Sequence, residues 1–463
     1  MGMDYAAIIL AAGKGKRMKS QLPKVLHPIL GCPILSYVLH AVNEISPKRI
    51  IVIIGHGGER IKGAFHSDQI EYVLQNEPLG TGHAAMCAHE ALKDFNGTVV
   101  ILNGDFPLIR PETLKGFIEM HRRSKGALSL LTTVLDNPDG YGRVIRGRDG
   151  DVIRVVEEKD ATAEEREIKE INSGAYCVES DFLWKALREI GRNNEQKEYY
   201  LPDIIGVATE SGKRVVGYPV PDSEEVLGVN NRVELAGVER IIKNRINRNL
   251  MISGVTIIDP DVTYISPRVS IRTDTIIYPN TFIYGDTTIG NGCQIGPSVW
   301  IEDSKIGEGV TIKFSSYITK AVIEDDVTIG PFAHIRPDAQ ILTGARIGNF
   351  VEIKKSKIGR GSNVLHLSYV GDGVLGDRVN IGAGTITCNY DGFDKYETVI
   401  EDDVFIGSDT MLVAPVRVGK GATTGAGSTI TRDVPPGTLA IARAKQVIIE
   451  GWKRKPRGRK RNE

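Results

Sequence analysis

From Ile265 an isoleucine recurs at every sixth residue for seven beats: Ile265, Ile271, Ile277, Ile283, Ile289, Ile295 and Ile301. Neither a helix, at 3.6 residues per turn, nor a strand, with a side-chain period of 2, repeats at six. A hexapeptide period is that of a parallel β-helix, in which each beat residue points inward and stacks on its counterpart one coil away. The beat slips by five and resumes at Ile306, Ile312 and Ile318, then at Ile323, Ile329, Ile335, Ile341, Ile347 and Ile353. Further slips give Ile358, Val364 and Val370, then Leu375 and Ile381. A last run holds Ile400, Ile406, Leu412, Val418 and Ile430, with Thr424 on its one polar beat. Glycine often follows the beat, as at Gly290, Gly307, Gly348 and Gly382, and such small residues are expected at the corners of a prism. A three-sided coil of about 18 residues predicts roughly ten coils.

The chain's 463 residues exceed one ordinary core, so two or three domains are expected. Apolar content of 41% and charged content of 25% are those of a soluble globular protein. A net charge of zero argues against a general binder of nucleic acid or membrane. Charge is uneven, however: Lys453–Arg461 holds seven Lys/Arg in nine residues, read as a solvated tail or a contact for a phosphorylated ligand. Cys32, Cys87, Cys177, Cys293 and Cys388 are odd in number and form no C-x-x-C, which fits a reducing, cytoplasmic setting and disfavours disulfides or a zinc site. The longest early apolar run, Ala6–Ala12, is too short to span a membrane and follows no basic segment, and Ala6 does not suit a myristoylation signal at Gly2.

The chain before the repeat reads differently. Apolar runs at 6–12, 49–55, 70–75, 98–103 and 127–134 alternate with amphipathic stretches at 34–45, 82–91 and 111–124. Continuous apolar strands between helices predict a doubly wound α/β domain with a parallel sheet, binding ligands at the strands' carboxyl ends. Residues 231–251 carry helical apolar spacing (Leu235, Val238, Ile242, Ile246, Leu250) and predict a connecting helix acting as a spacer. The predicted division is therefore 1–230, a linker at 231–251, and the repeat at 252–463 with its basic tail.

Leu10–Met18 reads LAAGKGKRM directly after the first strand. Gly13 and Gly15 permit close backbone approach, while Lys14, Lys16 and Arg17 supply cationic donors, the makings of a phosphate cradle. The spacing matches neither G-x-G-x-x-G nor the P-loop. Lys24 follows, and Gln75, Gly80-Thr81 and Asn103-Gly104-Asp105 fall where later strands should end. A carboxylate at such an end suits Mg²⁺, though a lone aspartate is a helix cap about as often as a ligand.

LAAGKGKRM, the downstream Pro23-Lys24, LGTGHA at Leu79, NGD and GYGR at Gly140 resemble the nucleotidyltransferases that join sugar 1-phosphates to nucleoside triphosphates. VEEKD at Val156, INSG at Ile171, EVLGVNNR at Glu225 and the hexapeptide region narrow the likeness. Over residues 4–455 the chain resembles the bacterial bifunctional N-acetylglucosamine-1-phosphate uridyltransferase/glucosamine-1-phosphate N-acetyltransferase family. The resemblance implies a Rossmann-like nucleotidyltransferase domain followed by a left-handed parallel β-helix. Leu10, Ala11, Ala12 and Gly13 would hold the nucleotide, with Arg17 near its phosphates and Lys24 neutralising the α-phosphate. Gln75, Gly80 and Thr81 would read uracil, Asp105 and Asn230 would bind Mg²⁺, and Gly142, Glu157 and Asn172 would hold N-acetylglucosamine. Two departures stand out: Lys16 replaces the usual threonine, and Asn103 and Phe106 flank Gly104-Asp105 where other members differ.

A β-helix by itself serves as scaffold, ice binder or acyltransferase. The beat lapses between Ile381 and Ile400, where Thr387–Glu397 reads TCNYDGFDKYE, and a polar, aromatic insertion in a solenoid points to function. His366, two lysines and this insertion lie close in sequence. By resemblance, Arg336, Lys354, Tyr369 and Asn380 would bind glucosamine 1-phosphate, and His366 would be the general base. Ala383, Asn389, Tyr390, Ser408, Ala426 and Arg443 would line an acetyl-CoA site, with Asn389 or a neighbouring N–H stabilising the oxyanion. The family also implies a homotrimer with sites between prisms. The expected reactions are acetyl transfer to glucosamine 1-phosphate, then coupling of N-acetylglucosamine 1-phosphate to UTP with release of pyrophosphate. The rival readings are a single-activity nucleotidyltransferase whose repeat only oligomerises, and a non-catalytic regulatory subunit of the same build.

Overall fold

A computed structural model describes residues 4–454. Most of the basic tail, and Gly2, lie outside the described residues. The chain divides into two compact units between Arg245 and Ile246.

Besides a two-stranded ribbon of Pro28–Ile29 and Cys32–Pro33, the first unit has a sheet of nine strands: β1 (Tyr5–Ala11), β2 (Arg49–Ile54), β3 (Ile70–Leu74), β4 (Thr98–Asn103), β5 (Leu128–Val134), β6 (Gly142–Arg146), β7 (Val152–Val156), β8 (Glu170–Glu179) and β9 (Val215–Pro219). The main sheet runs β9-β5-β8-β4-β1-β2-β3, with the β6–β7 hairpin joined to β8. Strands β1 to β4 are mutually parallel where they pair. Ala6, Ile8, Ile51, Ile53, Val99 and Ile101 pack into one core, and Ala7, Ile9, Ile50, Val52, Val100 and Leu102 into another on the opposite face. That two-sided burial explains why these strands show no polar alternation. The predicted parallel sheet needs correcting at β8, which runs antiparallel to β4, β5 and β6, and at the antiparallel β6–β7 hairpin. The sequence of β8, EINSGAYCVE, is interrupted by polar residues and a bulge between Asn172 and Tyr176, so it carries little strand periodicity.

The connecting segment is one helix, Arg232–Ile252. It is more than a spacer. In the first unit Glu239 accepts from Leu30 N at 3.0 Å, and Arg245 Nη1 donates to Leu108 O at 2.8 Å. In the second, Ile246 and Leu250 pack on the repeat's core, and Asn247 Nδ2 donates to Pro260 O and Thr263 O.

The second unit is a parallel β-helix with faces of 11, 10 and 9 strands, close to the ten coils predicted. Three buried columns run its length. The first stacks Ile257, Ile277, Ile295, Ile312, Ile329, Ile347, Val364, Ile381, Ile406 and Thr424. Some coils are one residue shorter than others, as the steps Ile277 to Ile295 and Ile295 to Ile312 show, yet the columns do not break. Thr424 keeps its place because its buried hydroxyl accepts from Gly407 N and meets Thr410 Oγ1. The expected lapse after Ile381 is shorter than predicted. Thr387 fills the second column opposite Leu412, and its hydroxyl accepts from Gly371 N at 2.8 Å and donates to Gly371 O at 3.0 Å. A fully satisfied hydroxyl stands in for an apolar beat, so the insertion proper begins at Asn389.

The glycines after the beat are not chiefly corner residues. A Cβ on Gly348 would lie 1.8 Å from Leu365 O of the next coil, and one on Gly359 2.0 Å from Gly376 O. They are glycine because coils stack there, whereas many corners are turned by left-handed residues such as Asp274, Asn280 and Gly344. We expect Gly348→Ala to destabilise this unit by several kcal/mol and Gly344→Ala by only about 1 kcal/mol, since the latter's Cβ meets open space and only φ strain remains. Denaturant unfolding of both variants checks the order.

Candidate active sites

In the first unit the carboxyl ends of β1, β3 and β4 open into a cavity of 540 Å³. Its lining gathers Leu10, Ala11, Ala12, Gly13, Arg17, Lys24, Gln75, Gly80, Thr81, Asn103, Asp105 and Asn230 from distant parts of the sequence. Local structure explains the glycines. Gly15 has φ 56°, and a Cβ there would sit 2.8 Å from Lys24 Cβ. Gly80 has φ 106°, with Tyr199 O only 2.5 Å from a would-be Cβ. Gly104 lets the chain leave β4 beside β1: its N–H donates to Leu10 O at 2.9 Å, and Asp105 follows at the sheet edge. Gln75 is buried, its Nε2 donating to Gly80 O at 3.1 Å and lying 3.0 Å from His83 Nδ1.

Charge is organised around Asp105 and Asn230. The Lys24 ammonium is ion-paired with the Asp105 carboxylate and lies 3.4 Å from Asn230 Oδ1. Arg17 Nη2 donates to the same Oδ1 at 2.8 Å. Glu234, missed in the sequence reading, accepts from Asn230 N and Nδ2 at 2.8 and 3.1 Å, which turns the amide oxygen toward the cations. Two oxygens of hard-donor type therefore already face positive charge.

A second cavity, of 180 Å³, adjoins the first and is lined by Gly142, Glu157 and Asn172 together with Tyr141, Tyr176 and Pro202. Leu10, Thr81, Asn103, Asp105 and Asn230 line both cavities. Asn172 Nδ2 donates to Tyr176 Oη at 2.7 Å. Glu157 is not the surface charge its acidic neighbours suggest: burial, then Asp203 and Asp160, push its carboxyl above the ordinary value. Burial and Asp160 likewise raise Asp203 to about 6. Because the folded pKa is raised, ionisation of Asp203 costs stability as pH climbs from about 4 through about 6. Asp203→Asn should therefore raise the melting temperature more at pH 8 than at pH 4.5. Equal gains at both pH values would show that Asp203 titrates normally.

In the β-helix two groups of the expected site residues each share an edge, and the others lie apart. Asn349, His366, Ala383, Ser408 and Ala426 each sit two residues beyond a first-column beat, so they form one line along the prism. Arg443 closes it, donating to Ala426 O at 2.6 Å. His366 is exposed, and its Nδ1 lies 2.8 Å from Asn349 Oδ1, a partner the sequence reading missed. Arg336 and Lys354 each follow a second-column beat, at the far end of the second face. Arg336 donates to Glu352 at 2.7 Å. Lys395, also missed, lies in the insertion beside Lys354, whose hydrogen bond and charge hold the Lys395 amine below its ordinary value. Tyr369 opens the second face, its ring filling the space above Gly371, and Asn380 stacks on Asn363. Asn389 is buried with its Nδ2 donating to Asp372 at 2.6 Å, which engages one of its two amide hydrogens. Tyr390 is exposed and bonded to Gly392 O, off the His366 line.

Comparison with known proteins agrees with this division. Residues 7–142 match the MobA-like NTP transferase domain, and residues 320–355 and 397–432 match the bacterial transferase hexapeptide family of six repeats. The "Bifunctional protein GlmU" of Geotalea uraniireducens is 51% identical over 98% of this chain and 99% of its own length. Its namesakes from Exiguobacterium sp. and Geobacillus sp. are 48% and 49% identical over 97% and 96% of this chain, and 99% and 97% of their own lengths. The chain belongs to the bifunctional GlmU family. It is an enzyme of two transferase activities, a uridyltransferase in the nucleotidyltransferase unit and an acetyltransferase in the hexapeptide unit. A solved UDP-glucose pyrophosphorylase in complex with UDP-glucose aligns with 52% of this chain and all of its own at TM-score 0.45 and 16% identity.

Proposed function

We propose that the two cavities of the first unit hold UTP and N-acetylglucosamine 1-phosphate end to end, and that the His366 line carries acetyl transfer from acetyl-CoA to glucosamine 1-phosphate. The supporting observation is the shared wall. Leu10, Thr81, Asn103, Asp105 and Asn230 border both cavities, an arrangement that would bring the two substrates' phosphates side by side. Gln75 and Gly80 read the base, the Leu10–Gly13 backbone carries the nucleotide, and Glu157, Asn172 and Gly142 hold the sugar. The sugar phosphate's oxygen is already anionic, so it needs no side-chain base. The chain's work is alignment and neutralisation, with Lys24 meeting the α-phosphate.

Asp105 and Asn230 suit Mg²⁺, a hard cation that takes one or two protein oxygens and completes its shell with phosphates and water. Mg²⁺ would draw charge from the phosphates and from the departing pyrophosphate. Among the described residues no group of three or more His, Cys, Asp or Glu converges.

For acetyl transfer, an amide oxygen can only accept, so Asn349 Oδ1 fixes the hydrogen on His366 Nδ1 and leaves Nε2 as base. Nε2 takes the proton of the attacking amine as the N–C bond forms and the C–S bond breaks. The thioester is already activated, so this half-reaction needs no metal.

The base line and the Arg336–Lys354–Lys395 cluster lie on different edges of one prism, so a copy of the chain would supply the missing edge. This supports a trimer. Phe332, Phe350 and Leu367 add to it: they sit in the left-handed region at φ 54°, 55° and 49° yet are 44, 56 and 61% exposed, forming an apolar ridge beside His366 that a neighbour would cover. The described residues include no helix long and apolar enough to cross a membrane, and we assign the enzyme to the cytoplasm.

The test is a pair of variants followed separately by CoA release and pyrophosphate release. His366→Ala should abolish acetyl transfer and leave uridylyl transfer within about twofold of wild type. Asp105→Ala should do the reverse, lowering uridylyl transfer by about 10²-fold or more. Full acetyl transfer by His366→Ala, or uridylyl transfer at the wild-type rate without Mg²⁺, would refute the respective assignment.

A further inference from the structure

The seam between the two cavities fixes where the reacting phosphorus must lie. Only at Asp105, Asn230 and their shared neighbours can a group in one cavity reach a group in the other. In phosphoryl transfer the entering and leaving oxygens are roughly in line, on opposite sides of phosphorus. The sugar phosphate enters from the smaller cavity. Pyrophosphate must therefore depart toward the wall that belongs to the larger cavity alone, which includes Lys14, Gly15, Lys16 and Arg17.

The cations there are not equivalent. Lys24 is paired with Asp105, and Arg17 is bonded to Asn230. The side chains of Lys14 and Lys16 are exposed and carry no hydrogen bond or ion pair among the described residues. Gly15 sets them in place. Its left-handed φ turns the chain across Lys24, so a free ammonium at position 16 lies on the same loop that covers the paired one at 24. Two unpaired ammonium groups on the departure side match a trivalent or tetravalent anion, not a nucleoside or a sugar ring.

We propose that Lys16, seconded by Lys14, is the binding group for the pyrophosphate half of UTP and for pyrophosphate as product. Its charge acts on the leaving group and on nothing that remains in UDP-N-acetylglucosamine. The inference rests on the uridyltransferase reading. It is separable from it, because the reverse reaction presents pyrophosphate and the nucleotide sugar as two independent substrates.

The experiment is steady-state pyrophosphorolysis of UDP-N-acetylglucosamine by the full chain, varying each substrate in turn. For Lys16→Met and Lys16→Thr the KM for pyrophosphate should rise about tenfold, with the KM for UDP-N-acetylglucosamine within about twofold of wild type. Lys16→Arg should restore most of the loss, and Lys14→Met should show a smaller rise of the same kind. An unchanged pyrophosphate KM in the Lys14→Met/Lys16→Met double variant overturns the proposal. So does a parallel rise in both KM values, which would mean that the substitution deforms the Leu10–Gly13 backbone. A wild-type enzyme that performs no pyrophosphorolysis overturns the uridyltransferase reading along with it.

Discussion

Register is the constraint on which the second unit depends. Each coil's backbone hydrogen bonds go to the coils above and below, so one buried beat per face is stacked on the next without lateral freedom. A residue at a fixed offset from the beat is then carried to the same place on every coil. The line Asn349, His366, Ala383, Ser408 and Ala426 is a consequence of this, as is the shared offset of Arg336 and Lys354, each one residue beyond a second-column beat. Small differences in coil length are absorbed at corners. The insertion stretches one coil, so that Arg378 bonds to Asp403 across a longer span of sequence than separates Arg360 from Asp377 one coil earlier. The columns continue through it unbroken. Function is thus added to the solenoid without disturbing the part that folds it.

The first unit solves a different problem. Its strands bury both faces, so ligand can be met only at a sheet edge, and the edge used is the one where parallel strands end. What assembles there is a set of charges held at arm's length by each other. Lys24 and Asp105 neutralise one another, Arg17 leans on Asn230, and Glu234 orients that amide. The charges of Lys24 and Asp105 are thereby compensated, while Lys14 and Lys16 in the same lining stay unpaired among the described residues. Electrostatic stabilisation of phosphoryl transfer needs groups in position beforehand, and mutual pairing keeps them there.

Much of this was legible because it is periodic or local. Period six gave the prism and its approximate number of coils, and apolar runs gave β1 to β5 with nearly their observed bounds. The illegible parts share a physical cause: a side chain satisfied by a distant partner. Thr387 reads as a polar break until Gly371 supplies both its hydrogen bonds. Glu157 sits in a run of charges that looks solvated, and only the fold buries it. Asn349 lies one coil before His366, an interval without meaning until coils are stacked. The antiparallel β8 was missed because its bulge and polar residues line the smaller cavity and break the strand's periodicity. Glycine was misread in the other direction. Its frequency after the beat suggested a turn, whereas the requirement is for coils to approach within the radius of a methyl group.

The two chemistries differ in what they ask of a scaffold, and the two units differ accordingly. Uridylyl transfer concerns charge spread along a chain of phosphates, so it suits a broad cleft lined by several cations. Acetyl transfer turns on one proton, taken by one nitrogen. On the proposed reading that nitrogen belongs to His366, and a rigid prism whose neighbouring coil places Asn349 against Nδ1 would fix its tautomer with one hydrogen bond. The cost of the prism is that its faces are flat and its edges far apart, so His366 and the cations Arg336 and Lys354 fall on separate edges. A scaffold able to fix a tautomer so simply is for the same reason unable to wrap a substrate alone, and assembly of several prisms is the direct way to bring two edges together.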